Sequence, residues 1–220
     1  MAFAAIIFDC DGVLVDSEII YYRVEREHLS RIGLEYDPVE YQRRFMGLNA
    51  ADYLAEIDRD LRARKGVPLP ADFGRALRED AIARLKTQVR AIDGIEDVIA
   101  GFDGPQAVAT SSAPDTLEIK LGVTDLRRHF DPHVYHAGQV AHGKPAPDLF
   151  LMAAQKLGAD PAGCLVIEDS ANGVRAGRAA GMTVWGFTGG GHADDGLAER
   201  LREAGAHDVF SSHADVRKSL

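Results

Sequence analysis

Cysteine, basic residues and long apolar runs are all scarce in this sequence. Its 220 residues contain two cysteines, Cys10 and Cys164, and both lie in or beside short apolar runs. A free cysteine in such a run behaves as a small hydrophobic residue, so neither a disulfide nor thiol chemistry is expected. No stretch approaches the roughly 18 uninterrupted apolar residues of a membrane helix, and the N-terminus shows no signal-peptide pattern. The sequence therefore favours a cytoplasmic protein with no membrane partner.

The excess of acidic over basic residues narrows the range of partners. Asp and Glu number 34 against 25 Lys and Arg, which gives a formal net charge of −9. Surfaces that bind nucleic acids need clustered Lys and Arg, so no nucleic-acid partner is expected. The hydrophobic fraction of 46% is sufficient for the core of one large domain or of two modest ones.

The chain opens with an apolar strand that ends in two acids. Residues 4–8 are Ala-Ala-Ile-Ile-Phe, which is typical of a strand buried on both faces of a parallel sheet, and Asp9 and Asp11 follow. An unpaired carboxylate at such a place costs several kcal/mol, and ligands of open α/β sheets bind at the carboxyl ends of the strands. A turn closed by Gly12 would explain these residues taken alone. A functional site requires partners from elsewhere in the chain.

Two kinds of periodicity divide the rest of the chain. Residues 17–88 carry apolar side chains at helical spacing, interrupted at Pro68 and Pro70, which predicts an inserted all-α cap domain. Strand-like and helical segments then alternate, and this alternation predicts a doubly wound, parallel, Rossmann-like α/β core formed by residues 1–16 and 89–220. The predicted later strands are 106–110, 134–137, 164–167, 182–187 and 208–210; the predicted helices between them are 114–121, 147–157 and 172–180, each followed by glycine.

Polar side chains follow several of these strands and would converge at one edge of the sheet. Thr110 and Ser111 end the second strand, Lys144 precedes a helix, and Glu168 and Asp169 end the fourth strand. Each alone could be a helix cap or a solvated group. Together with the first acid pair they supply two pairs of carboxylates, hydroxyl groups and a cation, a combination that suits phosphoryl transfer.

The chemistry of these groups predicts a metal ion and assigns roles. Mg²⁺ prefers carboxylates, water and substrate phosphate as ligands, and Asp9 and Asp169 could supply the carboxylates. Without a cation they would repel a phosphate ester, since two like charges ~4 Å apart cost roughly 4 kcal/mol at an effective dielectric constant of about 20. With Mg²⁺ and Lys144 close by, Asp9 would attack phosphorus to give an aspartyl-phosphate, and Asp11 would act as general acid and base. The phosphoryl oxygens would be bound by Thr110, Lys144 and the Ser111 amide.

Four motifs in this chain resemble those of the haloacid dehalogenase (HAD) superfamily of phosphohydrolases. They are Asp-Cys-Asp-Gly-Val at 9–13, the hydroxyl of Thr110, Gly-Lys-Pro-Ala-Pro-Asp at 143–148 and Glu-Asp-Ser at 168–170, in the order and spacing of the family. The resemblance covers essentially the whole chain. The helical insert and Asp-Ser-Glu at 16–18 are similar to the branch that holds β-phosphoglucomutase and small sugar-phosphate phosphatases.

The resemblance implies a set of site residues and a function. It makes Asp9 the nucleophile and Asp11 the acid and base. It places Mg²⁺ on Asp9, the Asp11 carbonyl and Asp169, with Glu168 as a direct or water-mediated ligand. The implied enzyme is a Mg²⁺-dependent phosphatase, expected as a monomer, that acts on a small phosphorylated metabolite such as a sugar or sugar-acid phosphate. Candidate substrate contacts in and beside the cap are Glu18, Tyr21, Arg43, Arg44 and Asn49.

Three other functions fit parts of the pattern. Haloacid dehalogenases resemble this chain but lack an acid at the position of Asp11. β-Phosphoglucomutases carry an Arg shortly after a cap glycine, which is absent from 47–50, and a His where this chain has Tyr21. Non-catalytic phospho-acceptor domains carry the acceptor aspartate on an internal strand and have no cap. These departures favour a phosphatase and leave the mutase as the main alternative.

Overall fold

The computed structural model describes residues 3–45, 48 and 50–220, apart from the side chains of Gln42 and Arg43. The chain divides into two compact units, Met1–Ile19 with Leu85–Leu220 and Ile20–Arg84. The limits of the second unit lie a few residues inside the predicted cap, 17–88. Within the described residues, no helix is long and apolar enough to cross a bilayer.

In the first unit, six parallel strands form one sheet. In chain order they are β1 (Ala5–Phe8), β2 (Gln106–Thr110), β3 (Val134–His136), β4 (Cys164–Glu168), β5 (Thr183–Phe187) and β6 (Asp208–Phe210). Their order across the sheet is β3-β2-β1-β4-β5-β6, and every pairing is parallel. The predicted doubly wound α/β fold is confirmed.

The register brings the ends of the central strands level. Phe8 of β1 is paired with Val108 of β2 and with Ile167 of β4, so Asp9 and Glu168 emerge at the same edge of the sheet. The order of the strands reverses between β1 and β4, and open α/β sheets bind their ligands at such a reversal.

Burial on both faces explains why β1 is uniformly apolar. Ala5 and Ile7 belong to the same buried cluster as Phe150, and all three are inaccessible to solvent. Phe8 points to the opposite face, because side chains alternate along a strand, and its ring centroid lies 5.7 Å from that of Phe130. This packing fixes where the strand ends and the acidic turn begins.

In the first unit, the long helices lie where the sequence predicts helical segments. One prediction is wrong: α6 does not end before Gly122 but continues to Val123. Glycine costs a helix roughly 0.5–1 kcal/mol relative to alanine, and burial of Leu117 and Leu121 on the same helix offsets this.

Several other helices of this unit are not predicted, because four to seven residues are too few to show a helical period. The full set is α5 (Ile95–Ala100), α6 (Pro114–Val123), α7 (Arg127–Phe130), α8 (Asp148–Leu157), α9 (Ala171–Ala179), α10 (Leu197–Glu203) and α11 (His213–Ser219).

The second unit is helical and has an aromatic core. Tyr41 is buried there, with its ring centroid 5.0 Å from that of Phe45 and 5.3 Å from that of Tyr22. Pro68 and Pro70 lie between the last two helices, where the sequence predicts an interruption. The helices, of which the first and last extend into the other unit, are α1 (Glu18–Arg31), α2 (Pro38–Phe45), α3 (Ala50–Lys65) and α4 (Phe73–Gln88).

Glu25 places a titratable group beside this aromatic core. The Tyr41 hydroxyl donates a hydrogen bond to Glu25 Oε2 and lies 3.4 Å from the Tyr53 hydroxyl. Burial raises the pKa of the Glu25 carboxyl to about 7, although the hydrogen bond from Tyr41 opposes the shift. Ionisation of Glu25 is therefore less favourable in the folded unit than in the unfolded chain, where a glutamate has a pKa of about 4.3.

We expect Glu25→Gln to stabilise the protein at pH 8 but not at pH 4. Because the folded-state pKa is the higher one, stability falls as the pH rises from the unfolded pKa through the folded pKa of about 7. Glutamine cannot ionise, so the free energy of unfolding at pH 8 should rise by roughly 1–3 kcal/mol. Urea titrations at both pH values measure the difference. The exposed control Glu35→Gln should show no such gain, and an equal gain there would contradict the role of burial.

Candidate active site

A buried lysine joins the ends of two central strands. Lys144 Nζ lies 2.5 Å from Asp9 Oδ1 and 2.6 Å from Glu168 Oε1. Asp9 is 7% exposed, and Glu168 is fully enclosed at the end of β4. The lysine ammonium also lies 4.8 Å from the centre of the Phe150 ring on α8. Three residues that the sequence places in the site are thus brought together in one ion-pair cluster.

The charges in this cluster leave an excess of negative charge. Burial raises the pKa of Asp9 well above its usual range; the Lys144 charge lowers it, whereas Glu168 and Asp169 raise it further. Burial alone would lower the pKa of Lys144, but the Asp9 and Glu168 carboxylates raise it, so the ammonium stays charged. Further positive charge at this edge would favour the ionised form of Asp9.

Asp11 is held separately, by three donors. Its Oδ1 accepts hydrogen bonds from the Ser17 hydroxyl and from Lys120 Nζ, the latter at 2.5 Å, and its Oδ2 accepts one from the Ser112 hydroxyl. Burial would raise the pKa of Asp11, but the Lys120 charge and these hydrogen bonds hold it below its usual value. Asp9 and Asp11 therefore have opposite pKa shifts, so their surroundings differ although they are two residues apart in the chain.

Lys120, Ser17 and Ser112 are neighbours of Asp11 that the predicted site omits. Lys120 is 1% exposed and lies on α6, three residues after the buried Leu117. A lysine on the apolar side of a helix is almost never buried without a partner. That position in the sequence is the signal that would have pointed to a buried ion pair.

His192 is a further residue of the site that the sequence does not identify. Its Nε2 lies 3.2 Å from Asp169 Oδ2, and the loop before it is anchored by the Gly191 amide, which donates to Asp16 Oδ1 at 3.0 Å. Burial raises the pKa of Asp169, and the contact with His192 opposes this shift. Burial would lower the pKa of His192, but Asp169 raises it. The three preceding glycines are typical of a plain loop, so only the fold shows this contact.

The acidic edge fits a Mg²⁺ ion. Gly12 has a φ of +70°, and a Cβ there would lie 1.8 Å from Asp169 Oδ2, so the turn after Asp11 passes directly against this carboxylate. Asp9, Asp169 and a carbonyl of this turn are oxygen donors of the kind that Mg²⁺ prefers. Among the residues that the structure describes, no three Asp, Glu, His or Cys side chains already form a metal-binding group.

The other predicted site residues of the first unit differ in their burial and in their hydrogen-bond partners. Thr110 is buried at the end of β2 and its Oγ1 accepts from the Ser112 amide at 3.1 Å, while Ser111 is exposed. Glu168 uses both oxygens: Oε1 binds Lys144, and Oε2 accepts from the amide and the hydroxyl of Ser170, each at 2.9 Å. The geometry makes Glu168 a partner of Lys144 rather than an available direct metal ligand.

The candidate substrate contacts are placed differently from one another. Glu18 begins α1 within the first unit, and burial, together with the charges of Asp11 and Asp169, raises its pKa to about 7. Tyr21 is half-buried and belongs to the helical unit. The Arg43 side chain and the whole of Asn49 lie outside the described residues.

The contacts that the structure shows for the Arg44 side chain lie within the helical unit. Its guanidinium forms ion pairs at 2.9–3.4 Å with three carboxylates of that unit, those of Glu40, Glu56 and Asp60. The same group lies 5.0 Å from the centre of the Phe45 ring. Arg44 thus has a structural role, and the geometry does not support it as a contact for substrate phosphate.

A doubly wound sheet with buried acids, a lysine and hydroxyls at its strand ends defines a Rossmann-like hydrolase of the phosphoryl-transfer class. The chain belongs to the haloacid dehalogenase-like hydrolases, whose family profile matches residues 3–181. The predicted family is therefore confirmed.

Relatives of known name agree with this family. The fructose-1-phosphate phosphatase of Escherichia coli is 36% identical over 196 residues, which is 82% of this chain and 94% of that protein. The 6-phosphogluconate phosphatase of the same organism is 28% identical over 184 residues, or 83% and 81% of the two chains. A HAD family hydrolase from Deinococcus radiodurans, solved with bound phosphate and sodium, has a TM-score of 0.84 and 37% identity, covering 99% of this chain and 94% of that one. The prediction of a HAD-type phosphatase is confirmed.

We expect Gly173→Ala to disable the site. A Cβ at Gly173, on α9, would lie 1.7 Å from Glu168 Oε1, so Glu168 must move away from Lys144. Phosphatase kcat should fall at least about 10-fold and the melting temperature by several degrees, as overpacking costs about 1–3 kcal/mol. The control is Gly122→Ala on α6, where nothing lies within 4 Å of the added Cβ. Equal activity of the two variants would contradict the role given to Glu168.

Proposed function

We propose that this protein is a Mg²⁺-dependent phosphatase that releases phosphate from a sugar or sugar-acid phosphate through an aspartyl-phosphate intermediate. The observation that carries the proposal is the separation of two neighbouring carboxylates. Asp9 pairs with Lys144 at the end of β1, whereas Asp11 is held by other donors. A phosphate ester needs both a nucleophile and a proton donor for its alcohol, while displacement of halide from carbon needs no such donor.

Asp9 is the proposed nucleophile and Asp11 the proposed acid and base. An oxygen of Asp9 forms a bond to phosphorus as the bond from phosphorus to the alcohol oxygen breaks, and Asp11, which enters this step in its protonated form, gives that oxygen its proton. Water then attacks the phosphorus and passes a proton to Asp11, and Asp9 leaves as a carboxylate. Both groups return to their starting states. The developing charge on the phosphoryl oxygens is stabilised by Lys144, the Thr110 hydroxyl and the Ser111 amide.

Asp9, Asp169 and the Asp11 carbonyl are the proposed Mg²⁺ ligands. Burial, with the neighbouring carboxylates, raises the pKa of both Asp9 and Asp169. These residues therefore favour binding of a cation, which keeps both carboxylates ionised. Bound there, Mg²⁺ would supply positive charge to the phosphate and to the nucleophile.

The proposed substrate class rests on the relatives and on Glu18. The two Escherichia coli relatives are named for fructose 1-phosphate and 6-phosphogluconate. Glu18 is half-buried near Asp11 and Asp169, and its carboxylate can accept hydrogen bonds from sugar hydroxyls. Tyr21, Arg43 and Asn49 are proposed to contact the rest of the substrate. We propose a cytoplasmic monomer that acts on dissolved metabolites.

Phosphate release from a panel of metabolites tests the proposal. The panel contains fructose 1-phosphate, 6-phosphogluconate, glucose 1- and 6-phosphates and a nucleotide, each with Mg²⁺ or with EDTA. We expect release from sugar or sugar-acid phosphates only with Mg²⁺. The ion should also raise the melting temperature, since a ligand of the folded state stabilises it, and Asp169→Asn should remove that shift. Full activity in EDTA would exclude the metal, and bisphosphate-primed interconversion of the glucose phosphates without release would identify a mutase.

We expect Asp9→Asn to abolish turnover and leave the fold intact. An amide is a poor nucleophile, so kcat should fall at least about 10³-fold. Because burial disfavours the charge on Asp9, its removal should not lower the melting temperature. Circular dichroism and phosphate release measure the two effects, with the exposed Asp103→Asn as control. Near wild-type rates for Asp9→Asn would place the nucleophile elsewhere.

A further inference from the structure

Lys120 is a buried cation that the proposed mechanism does not use. It lies on α6, and its Nζ is 2.5 Å from Asp11 Oδ1 and 2.8 Å from Ser112 Oγ. A buried ammonium is retained in a fold only with partners that offset its loss of solvation. Here the principal partner is the carboxylate that is proposed to transfer the proton.

The donors around Asp11 fix both of its carboxylate oxygens. Oδ1 accepts from Ser17 and Lys120, and Oδ2 accepts from Ser112. Lys120 also donates to Ser112, so it connects the donors of the two oxygens. Charge-assisted hydrogen bonds are stronger than neutral ones, and of these three donors Lys120 is the charged one. The rotation of the Asp11 carboxyl group is therefore set by donors from three places in the chain, of which Lys120 on α6 is the charged one.

We propose that Lys120 is a positioning residue for the proton-transfer steps. It orients Asp11, directly and through Ser112, so that the carboxyl group faces the alcohol oxygen in the first step and the attacking water in the second. The inference rests on the proposed function, in which Asp11 gives and then takes that proton. Lys120 contacts neither phosphorus nor Asp9 in this assignment, and the attack by Asp9 does not depend on it.

The leaving group determines whether the attack of Asp9 on phosphorus requires a proton from Asp11. p-Nitrophenol leaves as a stable anion, whereas a sugar alcohol needs a proton as its bond to phosphorus breaks. Attack of Asp9 on p-nitrophenyl phosphate should therefore survive when Asp11 is misoriented. Attack of water on the aspartyl-phosphate should not. Such a variant would release one nitrophenolate per site quickly and then turn over slowly, which is the burst of an accumulating covalent intermediate.

Lys120→Met is the test variant, because methionine is similar in length and removes the charge. With Mg²⁺ and rapid mixing, we expect a burst of about one nitrophenolate per site and a later rate about 10²-fold below wild type. Hydrolysis of the sugar phosphate should fall at least as far, with no burst of alcohol. Ser112→Ala should give the same pattern with a loss of about 10-fold. Ser112→Ala keeps the ion pair between Lys120 and Asp11, so it decides the question if Lys120→Met does not fold. Leu117→Met, on the same helix, is the packing control and should match wild type.

Asp11→Asn separates this inference from the proposed function. If Asp11→Asn shows the burst but folded Lys120→Met and Ser112→Ala turn over normally, Lys120 has no positioning role. The inference is also overturned if a folded Lys120→Met loses the burst together with the later turnover, because its effect is then on the attack by Asp9. If Asp11→Asn hydrolyses both substrates at wild-type rates, the proposed acid and base itself is wrong.

Discussion

The Lys144 ammonium is the interaction on which the arrangement of the site depends. It lies between Asp9 and Glu168, which emerge from neighbouring strands at the same level of the sheet. Two buried carboxylates that contact the same ammonium group would repel each other strongly if that cation were removed. The burial of β1 fixes the position of Asp9, and the hydrogen bonds from Ser170 fix that of Glu168. The Lys144 charge offsets the repulsion between the two carboxylates.

The parts of this molecule that the sequence could predict are those with a local signal. Uniformly apolar strands separated by helical segments predict the parallel sheet, and the sheet in turn predicts that Asp9, Lys144 and Glu168 converge. Prediction is weaker where packing decides. Gly122 has the local pattern of a helix end, yet α6 continues to Val123, while Leu117 and Leu121 on the same helix are buried.

The residues missed in the site are those whose role depends on the direction of a side chain in the folded protein. Lys120 and Asp11 are 109 positions apart, and their contact depends on which face of α6 is buried. His192 reaches Asp169 from a loop whose path is set by the Gly191 amide on Asp16. No spacing rule in the sequence predicts these contacts, although a lysine on the apolar face of a helix indicates a buried ion pair.

Two lysines from different elements thus serve two carboxylates that are two residues apart. Lys144 comes from the loop before α8 and contacts Asp9, the proposed nucleophile, whereas Lys120 comes from α6 and contacts Asp11, the proposed acid and base. Because the two contacts arise from separate parts of the chain, a change in α6 can alter the contacts of Asp11 while leaving the charge around Asp9 largely as it was.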